Sequence, residues 1–327
     1  MIGVSVLIPV YGVEKYIERC ARSLFEQTMK TGIEFIFTDD CTPDNSIEIV
    51  KRLLEDYPER KDQVKFIRHE TNQGLAVARV TGLHAASGEY VIHCDSDDWV
   101  EPDMYELLYA KAIETHAHIV GCDFFVELFD RSKVRKQDFS QTQQLIIMGI
   151  LTADKIDGYL WNRMIRRNFY LGGAYKALKG TTFLEDLVVT VPMHRDTKEV
   201  SYVNKPLYHY NCSVPFSMST FVPSKKVLKA IDNLNMLKDG FKGNESVMDA
   251  INYRIYVTSL MLIFNLSDYK PEEWLKLNLI KNKNWSLSKG TLLGEYLIRH
   301  RCFYLHFFLR RLLNSFRYIF NCKNQEY

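Results

Sequence analysis

The chain has 327 residues, 46% hydrophobic and 25% charged, the proportions of a folded protein of one large or two unequal domains, which exclude a disordered, collagenous or coiled-coil chain. Lys plus Arg number 42 against 40 Asp plus Glu, so no global basic field points to nucleic acid. The seven cysteines are scattered, odd in number and without a C-x-x-C pair, a pattern that implies neither a disulfide framework nor structural zinc and fits a reducing cytoplasm.

The N-terminal run MIGVSVLIPVYG has no basic segment before its apolar stretch and meets a proline early, so it reads as a strand and not as a signal peptide. No run of 18 apolar residues follows anywhere to span a bilayer. Up to about residue 120, short β-branched runs alternate with helical patterns: VSVLIPV (4–10), IEFIF (33–37), VKFI (64–67), YVIHC (90–94) and HIVGC (118–122). That rhythm predicts an α/β fold with a mostly parallel sheet flanked by helices on both faces. Between the strands, helices are predicted over 14–27, with Ile17, Cys20 and Leu24 on one face, and over 46–57, capped by Asp44 or Asn45.

A polar connection over 130–157 leads to a predicted amphipathic helix over 155–170 and a glycine-rich loop, GGAYKALKG. A strand pair is predicted over 199–204 and 206–211, and the chain after Pro223 reads as all helical. Near the end, Arg299, His306, Arg310 and Arg317 fall on one helical stripe opposite Leu297, Tyr304, Phe308, Leu312 and Ile319. Residues 289–327 carry seven Lys or Arg against two acids. Two readings stand: a helix over about 290–321 lying in an anionic membrane interface, or a terminal helix packed on the core with a solvated basic face.

In such a sheet ligands bind outside the carboxyl ends of the strands. Asp95-Ser96-Asp97-Asp98 directly follows YVIHC. Carboxylates this close repel unless a cation joins them, and hard oxygen ligands suit Mg²⁺ or Mn²⁺ shared with a substrate diphosphate. Asp39-Asp40 ends the second strand and could accept hydrogen bonds from a nucleotide base or ribose, or else cap the next helix. Pro9 and Tyr11 end the first strand at the same edge. Asn72 and Gly74, with Arg79 one turn later, stand at a helix start suited to a diphosphate.

VSVLIPVYG, IEFIFTDDCTPDNS, NQGLAVAR, SGEYVIHCDSDDWVEPD and FLEDL resemble, in that order, the signature of the family-2 inverting glycosyltransferases of GT-A fold, of the type that builds bacterial surface polysaccharides. The resemblance is dense over 4–103 and thin to about 220. It implies a GT-A (Rossmann-like) domain over 1–220, with the acceptor side at 130–220, and a helical extension over 221–327. It further implies a nucleotide-sugar donor, a glycan or lipid-linked acceptor, and a cytoplasmic enzyme, with attachment to the inner face of the membrane if the basic helix lies in the interface. Residue by residue, Pro9, Tyr11, Asp39 and Asp40 would hold the base, commonly uracil. Asn72, Gly74 and Arg79 would neighbour the diphosphate, Asp95 and Ser96 the ribose or sugar. Asp97 would ligate the metal with Asp98 alongside, and Asp186 would be the general base with Glu185 as second candidate. Trp161, Asn162, Arg163, Tyr208 and His209 would lie near donor or acceptor. The turn after Asp40 lacks the family's usual glycine, and Gly12 and Val80 replace its usual asparagines. A sugar-nucleotide pyrophosphorylase would want a glycine-rich basic loop after the first strand, which PVYGVEKYIERC lacks, and a degenerate assembly partner would not need every motif carboxylate.

Overall fold

Period-two burial divides the first strand between two core layers. In the computed structural model, which describes residues 2–173, 183–213 and 223–264 together with Trp274, Leu277 and Leu279, β1 (Val4–Val10) is buried at all seven positions. Val4, Val6, Ile8 and Val10 join one apolar cluster, while Leu7 joins a second, because successive side chains of a strand face opposite ways. Each layer needs a cover. α1 (Ile17–Phe25) covers the first with Ile17, Cys20, Ala21, Leu24 and Phe25, an i, i+3, i+4, i+7, i+8 stripe in which each large side chain contributes about 1.5–3 kcal/mol.

The chain continues through β2 (Ile33–Asp39), α2 (Ser46–Leu54), β3 (Val64–Arg68), α3 (Leu75–Ala85), β4 (Tyr90–His93), β5 (Trp99–Val100), α4 (Met104–Thr115), β6 (Ile119–Glu127), β7 (Ser132–Arg135), α5 (Gln143–Thr152), β8 (Arg163–Arg166), α6 (Arg167–Gly172), α7 (Glu185–Asp196) and β9 (Val200–Asn211). α8 (Ser224–Leu237) and α9 (Glu245–Phe264) follow. The chain divides into two compact units, Met1–Ser217 and Met218–Tyr327, and the strands all belong to the first.

The strands form one sheet in the order β3-β2-β1-β4-β8-β6-β9-β5, with β7 on β6. β1 is parallel to β2 and β4, and β2 to β3. β8 runs antiparallel between β4 and β6, so β6, and β9 parallel to it, point the same way as β1. The carboxyl ends of β1, β2, β4, β6 and β9 therefore share one edge, where a sheet of this kind binds its ligands.

Two local devices shape that edge. Asp44, one of the two predicted caps, accepts hydrogen bonds from the Ser46 N–H at 3.1 Å and hydroxyl at 2.6 Å, and from the Glu14 N–H at 2.9 Å. It thus starts α2 and ties the chain after β1 to it. Arg60, fully buried, donates to the carbonyls of Phe25, Gln27 and Met29, satisfying carbonyls left open beyond the end of α1.

Two predicted elements are corrected. The helix expected over 155–170 is an irregular segment followed by β8 and the short α6. The periodic apolar residues there instead bury Met164 and Ile165 within the sheet, a burial that helical spacing mimics over so short a run. The strand pair expected over 199–211 is the single strand β9. Its register against β6 shifts between Cys122 and Phe124, opposite Pro206, and such a bulge accommodates a residue that has no N–H to give the ladder. Among the described residues no helix is long and apolar enough to cross a membrane. The predicted basic helix near the C-terminus lies outside the described residues, as do 174–182 of the glycine-rich loop and 214–222.

Candidate active site

The acidic turn after β4 is held from below by β9. The Tyr208 hydroxyl accepts a hydrogen bond from the Asp95 N–H at 3.0 Å and donates to Asp98 Oδ2 at 2.7 Å. The Asn211 N–H donates to Asp98 Oδ1 at 2.7 Å, and the Asn211 side chain to the Asp97 carbonyl at 3.1 Å. Both oxygens of Asp98 are therefore engaged inward. The residue is 1% exposed, and burial, with repulsion from Asp97 and Asp95, pushes its carboxyl well above the usual range. Asp98, expected beside Asp97 as a metal ligand, instead anchors the turn. Ser96 is likewise buried.

Asp97 is left half-buried. Burial and the neighbouring Asp95 push its carboxyl up to about 6, and no other described side chain hydrogen-bonds it. A partly buried acid without a partner is the environment that a divalent cation relieves. Among the described residues no group of three or more His, Cys, Asp or Glu stands ready to hold a metal. A cation at Asp97 fits only if substrate oxygens complete its shell.

Arg79, on α3, gathers the remaining acids. Its side chain is 4% exposed. One terminal nitrogen lies 2.9 Å from Asp95 Oδ1, the other 2.7 Å from Asp186 Oδ1 and 3.4 Å from Glu185 Oε1. Burial works against its charge, yet Asp186, Asp95 and Glu185 hold its pKa well above the ordinary value. Asp186 Oδ2 accepts the Leu160 N–H at 3.1 Å, and burial pushes the Asp186 carboxyl up while Arg79 opposes it. Glu185 is pushed up to about 7 by burial and by Asp186. Glu185 and Asp186 open α7 after Leu184, which takes the left-handed backbone at φ 55°. A cavity of about 20 Å³ lies against Arg79, Tyr170 and Glu185, and Arg79 Nε has no acceptor among the described residues.

The proposed base-binding residues stand further along the same edge, and not all face outward. Asp40 accepts the Gln73 N–H at 2.8 Å and the Gly74 N–H at 2.7 Å, and pairs with His69 Nδ1 at 2.7 Å. His69 Nε2 meets the Thr81 hydroxyl at 2.9 Å. Asp40 thus shapes the loop that enters α3, where Gly74 takes φ 89°, a conformation that costs glycine nothing. Asp39 accepts the Thr42 N–H at 2.8 Å and pairs with Arg68 at 3.5 Å. Pro9 pairs with Thr38 in the sheet, Tyr11 is 51% exposed beyond β1, and Asn72 is exposed on the loop.

Of the residues offered for donor or acceptor contact, Trp161 is buried and stacked between Tyr208 and Tyr159, with ring centroids 4.2 and 4.6 Å away. Asn162 and Arg163 are also buried, Arg163 donating to the carbonyls of Tyr159 and Asp157. His209 lies between Glu101 and Glu127 at 2.7 Å each and is stacked on Trp99 and Phe125. Sequence reasoning missed His69 and the hydroxyl bridge of Tyr208. A polar residue directly after a parallel strand was the available signal for His69, while Tyr208, expected near donor or acceptor, carries no local signal for its bridge between Asp95 and Asp98.

The sequence profile of Glycosyl transferase family 2 matches residues 5–171, just over half of the chain. EpsH of Bacillus subtilis (strain 168), named a glycosyltransferase, is 36% identical over 214 residues, covering 64% of this chain and 60% of EpsH. The glycosyltransferase GlyA of Streptococcus pneumoniae serotype 4 is 29% identical over 226 residues, 63% of this chain and 30% of GlyA. The chain thus matches less than two thirds of the length of these relatives. Among solved structures, S. aureus TarS 1–349 in complex with UDP-GlcNAc superposes with a TM-score of 0.61 at 20% identity, covering 80% of this chain and 71% of the other. The mannosyltransferase PcManGT from Pyrobaculum calidifontis, in complex with GDP-Man and Mn²⁺, gives 0.52 at 14% identity over 95% and 86%. The ordered motifs, the mixed sheet and these likenesses agree that the chain belongs to glycosyl transferase family 2 and has a fold of GT-A type.

Proposed function

We propose that the protein is an inverting glycosyltransferase. It moves a sugar from a nucleotide-sugar donor, a UDP-sugar by first choice, to a hydroxyl of a glycan or lipid-linked glycan during synthesis of a bacterial cell-surface polysaccharide. The observation that carries this reading is the placement of Asp95 and the Glu185-Asp186 pair on two sides of the one guanidinium of Arg79. Donor-side and acceptor-side acids then flank a single point, as a one-step displacement requires. The UDP-GlcNAc bound in TarS supports the donor class, and the names of the bacterial relatives support the transferase activity.

In this reading Asp39, Tyr11 and the end of β1 receive the base, and Asp95 the ribose or sugar. Asp97 would hold Mn²⁺ or Mg²⁺ jointly with the diphosphate, and that cation would act as a Lewis acid toward the leaving diphosphate. Asp186 accepts the proton of the acceptor hydroxyl as its oxygen attacks the anomeric carbon from the face opposite the diphosphate, which inverts that centre. A positioned base of this kind contributes about 10²–10⁴-fold. Glu185, pushed up to about 7, is the alternative proton acceptor.

The test is release of nucleoside diphosphate from a panel of UDP-, GDP- and dTDP-sugars, with Mn²⁺ and with chelator, beside Asp97→Asn. The expected result is metal-dependent turnover of one donor class, lost by about 10²-fold or more in the variant. Absence of both turnover and metal-dependent nucleotide binding in the wild type would sink the reading.

A further inference from the structure

We propose that Arg79 is a positioning residue that couples the two sides of the reaction: the guanidinium which braces donor-side Asp95 is the same one that keeps acceptor-side Asp186 ionised and aimed. This deepens the transferase reading and rests on it. The geometry is specific. The two terminal nitrogens divide their work, one taking Asp95 at 2.9 Å and the other Asp186 at 2.7 Å, with Glu185 at the edge of reach at 3.4 Å. A planar fork serves two acids in two directions in a way that a lysine's single ammonium cannot.

The reason such a brace matters lies in burial. Asp186 sits in a low-dielectric pocket with both oxygens engaged, by Arg79 and by the Leu160 N–H. Among the described residues, the charged and titratable groups around it are Arg79 from α3, Asp95 from the turn after β4, Arg163 from β8, Tyr159 ahead of β8, Tyr170 from α6 and Glu185 beside it on α7. Of these only Arg79 places a full positive charge in contact with it. Without that charge, burial and the two neighbouring acids favour the protonated form, which cannot take a proton from an acceptor. The same brace makes the donor side audible at the base: when a donor draws Asp95 or the guanidinium toward its own polar groups, the Asp186 contact changes with it.

The experiment compares wild type, Arg79→Lys and Arg79→Gln by steady-state transfer with the donor identified above, from pH 5.5 to 9, with thermal melting of each as the folding control. Arg79→Gln is expected to lose about 10²-fold in kcat. Its acid-side limb of the kcat profile should move at least about one pH unit to the alkaline. Arg79→Lys is expected to keep the wild-type limb while losing about tenfold in kcat, because charge is restored without the fork. An unmoved limb in folded Arg79→Gln, or equal kcat in Arg79→Lys and wild type, overturns the proposal. Should Arg79→Gln not fold, Arg79→Lys decides alone through kcat. A wild type that shows neither turnover nor metal-dependent binding of any of these nucleotides refutes the transferase reading itself, a result separable from either outcome in the variants.

Discussion

Tyr208→Phe isolates one hydroxyl at the foot of the acidic turn. The ring is fully buried and stacked 4.2 Å from Trp161, and phenylalanine keeps both the volume and the stack, so packing is unchanged. Two hydrogen bonds are lost: the one accepted from the Asp95 N–H at 3.0 Å and the one donated to Asp98 at 2.7 Å. A buried group left unsatisfied costs about 1–3 kcal/mol. The upper half of that range applies to the carboxylate, although its raised pKa lets it soften the loss by protonating. The sum is about 2–4 kcal/mol. For a folding unit of this size each kcal/mol lowers the midpoint by about 2–4 °C, so a fall of roughly 4–16 °C is expected. Near-UV circular dichroism is the assay, because the Trp161–Tyr208 stack reports the unit that carries the turn. A fall under about 2 °C would mean that the turn is held by its own backbone and not by β9, and would falsify the account of Asp98 as an anchor.

Other outcomes follow from the same geometry. Glu185 has a folded pKa raised from 4.5 to about 7, so its charge destabilises the fold, and wild type should lose stability as pH rises from about 4.5 to 7. Glu185→Gln should melt with wild type at pH 5 and above it at pH 8, by at most about 3 kcal/mol; calorimetry at the two pH values checks the sign. His69→Ala removes the link between Asp40 and Thr81 and loosens the loop at Gly74. Initial rates should show donor KM up about tenfold with kcat within about threefold. At Gly121 a Cβ would stand 2.2 Å from Phe139, whose ring is boxed by Tyr202, His194 and Arg163. Gly121→Ala should therefore cost about 1–3 kcal/mol or more in urea unfolding.

The parallel half of the sheet was legible because its inner strands β1, β2 and β4 are short, rich in β-branched residues and buried on both faces, so local composition and tertiary burial agree. The prediction ended β1 at Val10 and opened β2 at Ile33, as the structure does. β8 was illegible because four residues set no period, and its identity as a strand comes from β4 and β6 on either side. The two-residue β5 exists only through its pairing with β9. At the site, the acids could be read as a set, since each follows a strand or opens a helix. Their orientation could not. Asp97 and Asp98 are neighbours in sequence with opposite fates, decided by Tyr208 and Asn211 more than a hundred residues away. The bond from Arg79 to Asp186 spans 107 residues, and no local spacing encodes it.

The antiparallel strand β8 has a mechanical consequence. By hydrogen-bonding to β4 on one side and β6 on the other, it welds the strand that carries the acidic turn to the strands that lead toward β9, so that this part of the molecule is a single stiff plate with no seam down its middle. The acids of the candidate site stand on the connections that leave the plate's edge, and in the proposed transferase those connections meet the substrates. Altered sugar preference should accordingly be sought by exchanging those connections, while the plate tolerates little change.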